Sequence, residues 1–292
     1  MGAVDLHVHS TASDGKFPPE EVVRQAGRAG IRYLALADHD SVDGIIPALQ
    51  AVKAFPRMKL LPCVELSTDV PDGEVHVLGY FIDYTDENLK ATLRKFRESR
   101  LNRAQKMVKK LGTLGVHVRW ERVKEIAGAG AVGRPHIAQA MMEKGYIKNM
   151  REAFFKYIGR EGPAYVEREK MTPVEAVGEV LKYGGLPVLA HPLSAQGAEA
   201  WVAELKSMGL AGIEVYCNNY STDDMRILLG LATKYDLLTT GGSDFHGLGS
   251  EIGAPLGGVH VPVECAERLI ATAKQLGLRL TLICHRLWSG LY

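Results

Sequence analysis

The sequence predicts an α/β protein, one largely parallel sheet or barrel interrupted by a helical subdomain. Three observations predict it. Short β-branched or apolar runs alternate with helical patterns, polar clusters close the runs, and the alternation stops once, between about Asp86 and Pro163, before it resumes.

The runs are Ala3 to His9, Tyr33 to Ala37, Leu60 to Leu66, Val75 to Ile82, Leu186 to Ala190, Gly212 to Tyr216 and Leu237 to Thr240, several of them reading as buried parallel strands. Between them, Pro19 to Ala29 reads as a helix, with Pro18 and Pro19 at its start and Gly30 at its stop. Pro173 to Tyr183 is a second helix, with Thr172 as its N-cap. From Asp86 to Pro163 the pattern is helical. The chain therefore divides into a first barrel part (1–96), a helical insertion (97–165) and a second barrel part (166–292).

Bulk properties bound the function. The 292 residues suffice for a large core, and 46% hydrophobic with 24% charged residues is ordinary globular composition. No apolar run of about 18 residues is present to span a bilayer, and the N-terminus shows no secretory pattern, so a cytoplasmic protein is expected. Cys63, Cys217, Cys265 and Cys284 lie far apart without a Cys-x-x-Cys pair, which argues against a zinc ribbon or a disulfide framework. The net charge of +1 supplies no global field for nucleic acid. A local basic stretch exists from Lys90 to Lys110, with Glu98 as its only acid.

The chemistry begins at Asp5-Leu6-His7-Val8-His9. Strand alternation puts both histidines on one face, about 6.6 Å apart at roughly 3.3 Å rise per residue. Such a pair suits one metal ion, although alone it reads equally well as two hydrogen-bonded structural histidines. It has company: Asp38-His39-Asp40, Glu65, His76, Ala190-His191-Pro192 and Ser243-Asp244-Phe245-His246 all end or interrupt apolar runs, and Asp14 follows His9 in a polar turn before Gly15. In α/β architectures the carboxyl ends of the strands share one rim. Three carboxylates (Asp14, Glu65, Asp244) and six imidazoles (His7, His9, His39, His76, His191, His246) converging there would be costly unless paired or bound to metal. The set is large enough for two or three ions with open positions for water and substrate.

These ordered motifs resemble those of the PHP (polymerase and histidinol phosphatase) family, from position 7 to position 246 with no motif position missing. The resemblance implies a distorted (β/α)7 barrel, a trinuclear metal site and phosphate-ester hydrolysis. It implies that His7, His9, Glu65 and Asp244 hold one ion, that Glu65, His76 and His191 hold a second, and that Asp14, His39 and His246 hold a third. Glu65 then bridges the first two, and the catalytic set is His7, His9, Glu65, Asp244 and His246. The resemblance also favours manganese, with iron and zinc as alternatives that the ligand types accept equally.

The helical insertion resembles that of the nucleoside 3′,5′-bisphosphate phosphatases, some of which trim RNA from its 5′ end. Segment Ser99 to Arg103 and Gly133-Arg134-Pro135-His136 are similar to substrate-contacting stretches of that branch, which implies substrate-binding roles for Arg100, Asn102, Arg103, Arg134 and His136. Arg100 and Arg134 have the forked geometry to grip a second phosphate. In the expected chemistry a metal-bridging hydroxide attacks phosphorus in line. The expected partner is a small phosphorylated nucleotide or a short single-stranded nucleic acid, with no membrane and no obligatory protein partner. The alternatives are a 5′–3′ exonuclease using the basic stretch as an electrostatic funnel, a metal-dependent amidohydrolase or other phosphomonoesterase, and a non-enzymatic metal-binding domain.

Other features read blandly. His117, His260 and His285 stand singly. Gly128 and Gly130 in Ala127-Gly128-Ala129-Gly130 follow a helical pattern, not a strand, and so do not make a dinucleotide fingerprint. Cys217 has no evident base partner.

Overall fold

A computed structural model describes residues 2–68, 70, 75–128, 132–167, 170–247 and 254–278. Cys284, His285, Ala129 and Gly130, singled out in the sequence, lie outside them. The strands are β1 (Val4–Val8), β2 (Tyr33–Leu36), β3 (Lys59–Pro62), β4 (Glu65–Ser67), β5 (His76–Tyr80), β6 (Leu186–Ala190), β7 (Gly212–Cys217) and β8 (Leu238–Gly242). The helices are α1 (Pro19–Arg28), α2 (Ile45–Ala51), α3 (Glu87–Thr113), α4 (Trp120–Ala127), α5 (Arg134–Glu143), α6 (Met150–Ala153), α7 (Pro173–Lys182), α8 (Ala198–Ser207), α9 (Thr222–Lys234) and α10 (Val263–Gln275). The fold is α/β, as expected.

Local chemistry explains the elements that the sequence foretold. Pro19 occupies the first turn of α1, where its missing N–H costs nothing, Glu20 and Glu21 sit at the positive end of the helix dipole, and Gly30 follows the helix with φ of +80°. In α7, Thr172 accepts from the Glu175 N–H at 3.2 Å while Glu175 accepts from the Thr172 N–H at 2.7 Å.

One expectation needs correction. Leu60 to Leu66 is not one strand: after Pro62 the chain leaves β2, and Val64 exchanges backbone hydrogen bonds with Gly79 of β5 instead. The strands are largely but not wholly parallel. The sheet β1-β2-β3 is parallel, but in β4-β5-β6-β7-β8 the strand β5 runs antiparallel to both β4 and β6. The link from Ser67 to His76 is too short for the dozen or so residues that a parallel crossover requires.

The two sheets meet at both edges. Between β1 and β8, Asp244 N–H donates to His7 O and His9 N–H to Phe245 O, each at 2.9 Å. Beyond β2, Asp40 N–H donates to Glu65 O at 2.9 Å. Glycine permits the first meeting: a Cβ at Gly242 would lie 2.5 Å from His7 N and 2.6 Å from His7 Cβ.

Three apolar clusters fill the interior. One joins Val8, Leu34, Leu60, Val77, Leu189 and Ile213 to the covering helices, and a second joins Val4, Leu6, Leu78, Tyr80 and Val188 to Cys265 and Leu269 of α10. The third is confined to residues between Ala104 and Ala164. Helix α3 connects them: its Leu89 and Leu93 lie in the first cluster, its Ala104, Met107 and Leu111 in the third. Its Asp86 cap accepts from the Asn88 and Leu89 N–H groups. No helix among the described residues is long and apolar enough to cross a membrane.

Candidate metal centre

The nine ligand-type residues named from the sequence converge on one rim. His7 comes from β1 and His9 from just beyond it, His39 from just beyond β2, His191 from just beyond β6, and Asp244 and His246 from just beyond β8. The reversed direction of β5 brings its first residue, His76, opposite Ala190 and so to the same rim.

Glu65 is the hub. Its Oε2 lies 3.2 Å from His7 Nε2, 3.3 Å from His9 Nε2 and 3.0 Å from His39 Nδ1. Its Oε1 lies 2.8 Å from His76 Nδ1 and 3.0 Å from His191 Nε2. Asp244 Oδ1 stands 3.0 Å from His9 Nε2 and 3.6 Å from His7 Nε2, and Asp14 Oδ1 stands 3.3 Å from His246 Nε2. Most of the cluster is buried, but the Asp244 side chain is 43% exposed and opens it to solvent. A cavity of about 130 Å³ adjoins it there, with His7, His191, Cys217, Asn219, Tyr220 and Asp244 in its wall.

The donor atoms fit divalent cations. His7 Nε2, both ring nitrogens of His9, Asp14 Oδ1 and Glu65 Oε2 are buried without a hydrogen-bond partner. Each such atom costs about 1–3 kcal/mol, and a cation satisfies imidazole lone pairs and carboxylate oxygens together. Three groups have their ligand atoms within 4.8 Å of one another: His9, Asp14, His39 and His246; His7, His9 and Glu65; and His39, Glu65 and His76. His9 thus joins the Asp14 group, and His39 reaches Glu65, departures from the strict threefold division that the family resemblance implies.

Electrostatics is dominated by this mutual proximity. Burial would raise the carboxyl groups of Glu65, Asp14 and Asp244, yet the surrounding imidazoles hold all three well below the usual carboxylate range. Burial would lower His246, but Asp14 and Asp244 outweigh it and push its pKa up to about 10. His9 is lowered by burial and by the neighbouring His246. Three rim residues hold positive φ: Asp40 at 49°, His191 at 28° and Asp244 at 51°. Non-glycine residues in that region cost on the order of 1–2 kcal/mol each.

Two buried carboxylates buttress the rim without reaching a ligand atom. Asp38 accepts from Ser10 N–H, Ser10 Oγ and Ser13 Oγ, each at 2.7 Å, and so shapes the turn that delivers Asp14. Asp5 accepts from Ser243 N–H at 2.9 Å and Oγ at 2.6 Å, steadying the residue before Asp244. The sequence reading missed Glu214, and it quoted Asp5 and Asp38 only as parts of motifs. The available sign was a carboxylate within or at the end of an otherwise buried strand.

The substrate-contact candidates divide. Arg100 and Arg103, one turn apart on α3, are 6% and 5% exposed. Arg100 Nη2 bonds Asp40 Oδ2 at 3.3 Å and also Ser67 Oγ, while Nη1 lies 3.9 Å from Asp14 Oδ2. His136 is buried at the start of α5 and accepts from the Gly133 N–H through Nδ1 at 3.0 Å. A Cβ built on Gly133 would stand 3.7 Å from Asp14 Oδ2 and 3.9 Å from Arg100 Nη1, so the α5 N-terminus borders the centre. Arg134 is half-buried with its guanidinium 5.2 Å over the Phe154 ring. Asn102 is exposed on α3 and does not share the buried side of the helix with Arg100 and Arg103, because a residue two positions from Arg100 falls on another side of the helix. His117 and His260 are exposed. Burial and Glu214 push the Cys217 thiol well above its usual pKa, which does not suit a thiolate nucleophile.

Known proteins resemble this chain over most of its length. The PHP domain model matches residues 5–182. A 3′,5′-nucleoside bisphosphate phosphatase of Chromobacterium violaceum is 34% identical over 259 residues, covering 85% of this chain and 89% of its own. The 5′-3′ exoribonuclease Rnm of Escherichia coli is 34% identical over 247 residues, 83% of this chain and 84% of that one. A Bifidobacterium adolescentis structure assigned as a metal-dependent phosphoesterase superposes with a TM-score of 0.84 at 27% identity, over 92% of this chain and 96% of its own. The chain belongs to the PHP domain family and is a metal-dependent hydrolase.

Proposed function

We propose that the protein removes the 3′-phosphate of nucleoside 3′,5′-bisphosphates. The observation that carries the reading is the buried Arg100 beside the metal-ready cluster, 3.9 Å from Asp14, a cation built in where a second phosphate would lie. The 34% identity to a phosphatase of that specificity supports it.

His7, His9, Glu65 and Asp244 would hold one ion, Glu65, His76 and His191 a second, and Asp14, His39 and His246 a third, with manganese as the favoured metal. Such ions supply Lewis acidity and a water acidic enough to act as a nucleophile near neutral pH. The protein's own groups do the rest. Arg100 orients the phosphoryl oxygens, with Asp40 and Ser67 fixing its plane. Arg134 supplies the second fork. His136 carries its proton on Nε2, because Nδ1 accepts from Gly133, and burial keeps the ring neutral at physiological pH. It is therefore a hydrogen-bond donor toward the substrate.

In this reading the strands form a distorted (β/α)7 barrel, for which the backbone bonds at both sheet edges speak. Residues 97–165 act as an inserted subdomain, supported by their separate apolar cluster and by the change of core along α3. The expected location is the cytoplasm.

One observation favours a second activity, 5′–3′ removal of nucleotides from short RNA. The exposed side of α3 carries Arg94, Lys95, Lys106 and Lys109, a cationic track leading away from Arg100. The deciding experiment is phosphate release by manganese-loaded protein from adenosine 3′,5′-bisphosphate, with 3′-AMP, 5′-AMP and a 5′-phosphorylated RNA in parallel. Preference for the bisphosphate is expected. Comparable nucleotide release from RNA would transfer the assignment to the exonuclease, and no release from any of the four would refute both.

A further inference from the structure

Strand β7 holds a carboxylate outside the ligand set. Glu214 is 1% exposed between the fully buried Ile213 and Val215. A lone anion there would cost several kcal/mol, so its partners matter. They are His7 Nδ1, at 3.1 and 3.2 Å from its two oxygens, the backbone N–H of His191 at 2.9 Å, and the Cys217 thiol at 3.8 Å.

The backbone is arranged for these contacts. Glu214 stands opposite Thr240 but Tyr216 opposite Gly241, so β7 carries one extra residue just after Glu214. Bulges of this kind re-aim side chains beside active sites. Gly241 accommodates the bulge, since a Cβ there would lie 2.3 Å from Tyr216 O.

Two of these contacts act on two different ligand histidines, one at the ring and one at the backbone. His7 Nε2 faces Glu65 and has no hydrogen-bond partner, so it can serve as a ligand only if the ring proton resides on Nδ1. Glu214 is the acceptor that holds it there. His191 sits at φ of 28°, a conformation needing external support, and its N–H is tied to the same carboxylate. Its ring is set by the contact of Nδ1 with Ser194 Oγ at 2.9 Å, which turns Nε2 toward Glu65 Oε1.

We infer that Glu214 is a positioning residue for the metal centre, fixing the tautomer of His7 and the backbone of His191, so that one carboxylate sets ligands of two different ions. The inference rests on the metal-dependent reading above and extends it to a residue that touches no ion.

The test titrates metal-free full-length chain with Mn²⁺ and reads free Mn²⁺ by electron paramagnetic resonance, for the native protein, Glu214→Ala and Glu214→Gln. Loss of a partner that orients a metal-binding histidine weakens binding about 10–100-fold. Glu214→Ala is expected to show that loss. Glu214→Gln, whose amide oxygen accepts one of the two N–H groups while its NH₂ faces the other, falls between, and it carries the test if the alanine variant does not fold. A second readout separates positioning from folding: the rise in Tm on adding Mn²⁺, compared with the Tm of the same variant in EDTA. Positioning shrinks the rise. Native affinity in both variants, or a lowered Tm in EDTA with an unchanged Mn²⁺-induced rise, overturns the inference while leaving the metal reading intact. A native chain that binds no Mn²⁺ overturns both.

Discussion

Replacing Gly242 by alanine tests whether the meeting of β8 with β1 sets the metal geometry. The new methyl would sit 2.5 Å from His7 N, 2.6 Å from His7 Cβ and 2.9 Å from Asp5 Oδ1. Ordinary contact is about 3.5–4.0 Å, so β8 must withdraw by roughly 1 Å. Overpacking of this kind costs about 1–3 kcal/mol of stability. The withdrawal stretches the 2.9 Å bonds from Asp244 N–H to His7 O and from His9 N–H to Phe245 O, and carries Asp244 Oδ1 away from His9 Nε2, now 3.0 Å distant. A misplacement of about 1 Å at a reacting centre can reduce turnover about 100-fold. The expected result is a protein that still folds, with phosphate release from adenosine 3′,5′-bisphosphate down by about that factor and weaker Mn²⁺ binding. Gly178→Ala is the control. That glycine is exposed within α7 with nothing within 4 Å of a new Cβ, so alanine should add about 0.5–1 kcal/mol of stability and leave turnover unchanged. Native turnover and Mn²⁺ affinity in Gly242→Ala would refute the claim that this contact sets the geometry.

Glu65→Gln removes the charge on which five imidazoles converge, and Mn²⁺ affinity should fall by at least the ~100-fold that loss of a mere outer partner can cost; full metal content by elemental analysis would contradict the hub role. Arg134→Ala should lower kcat/KM on adenosine 3′,5′-bisphosphate about 10–100-fold more than on 3′-AMP, the worth of a charge-assisted hydrogen bond, and equal losses on both substrates would eliminate the second-phosphate fork. Arg100→Ala removes a cation that Asp40 meets in a buried site and should cost about 3–5 kcal/mol in denaturant unfolding, with an unshifted midpoint arguing that the pair is not buried in solution. In EDTA the protein should lose stability as pH rises from about 6.5, the unfolded value, through about 10, the folded value of His246. The sign follows from a folded pKa above the unfolded one: the protonated ring favours the fold, and its contribution is complete below about 6.5. A Tm in EDTA that stays level across that window would count against the Asp14–His246–Asp244 cluster.

Much of the centre was legible in the chain because its chemistry is local. The His7-x-His9 spacing, the polar residues closing apolar runs and the Asp14-Gly15 turn each record a polar group in a place that burial would penalise. Arg100 and Arg103 share a helix face by their three-residue separation, and the same phase argument could have set Asn102 apart from them. Glu214 escaped notice because one carboxylate in an apolar run does not say what it pairs with. Its partners are 207 residues away at His7 and 23 away at His191. The reversed direction of β5 escaped too, since a strand buried on both faces has the same composition whichever way it runs.

Sequence by itself determined which donor types the protein presents and that they belong to strand ends, because solvation penalties and strand periodicity act within a few residues. Tertiary structure alone decided that His9 stands with Asp14 as well as Glu65, that His76 shares a rim with His191, and that Glu214 meets the His7 ring and the His191 backbone N–H at once. Those outcomes depend on sheet register, on a bulge in β7 and on how closely β8 approaches β1 at Gly242. They turn on shifts of about 1 Å between segments remote in the chain, where packing rather than local preference determines position.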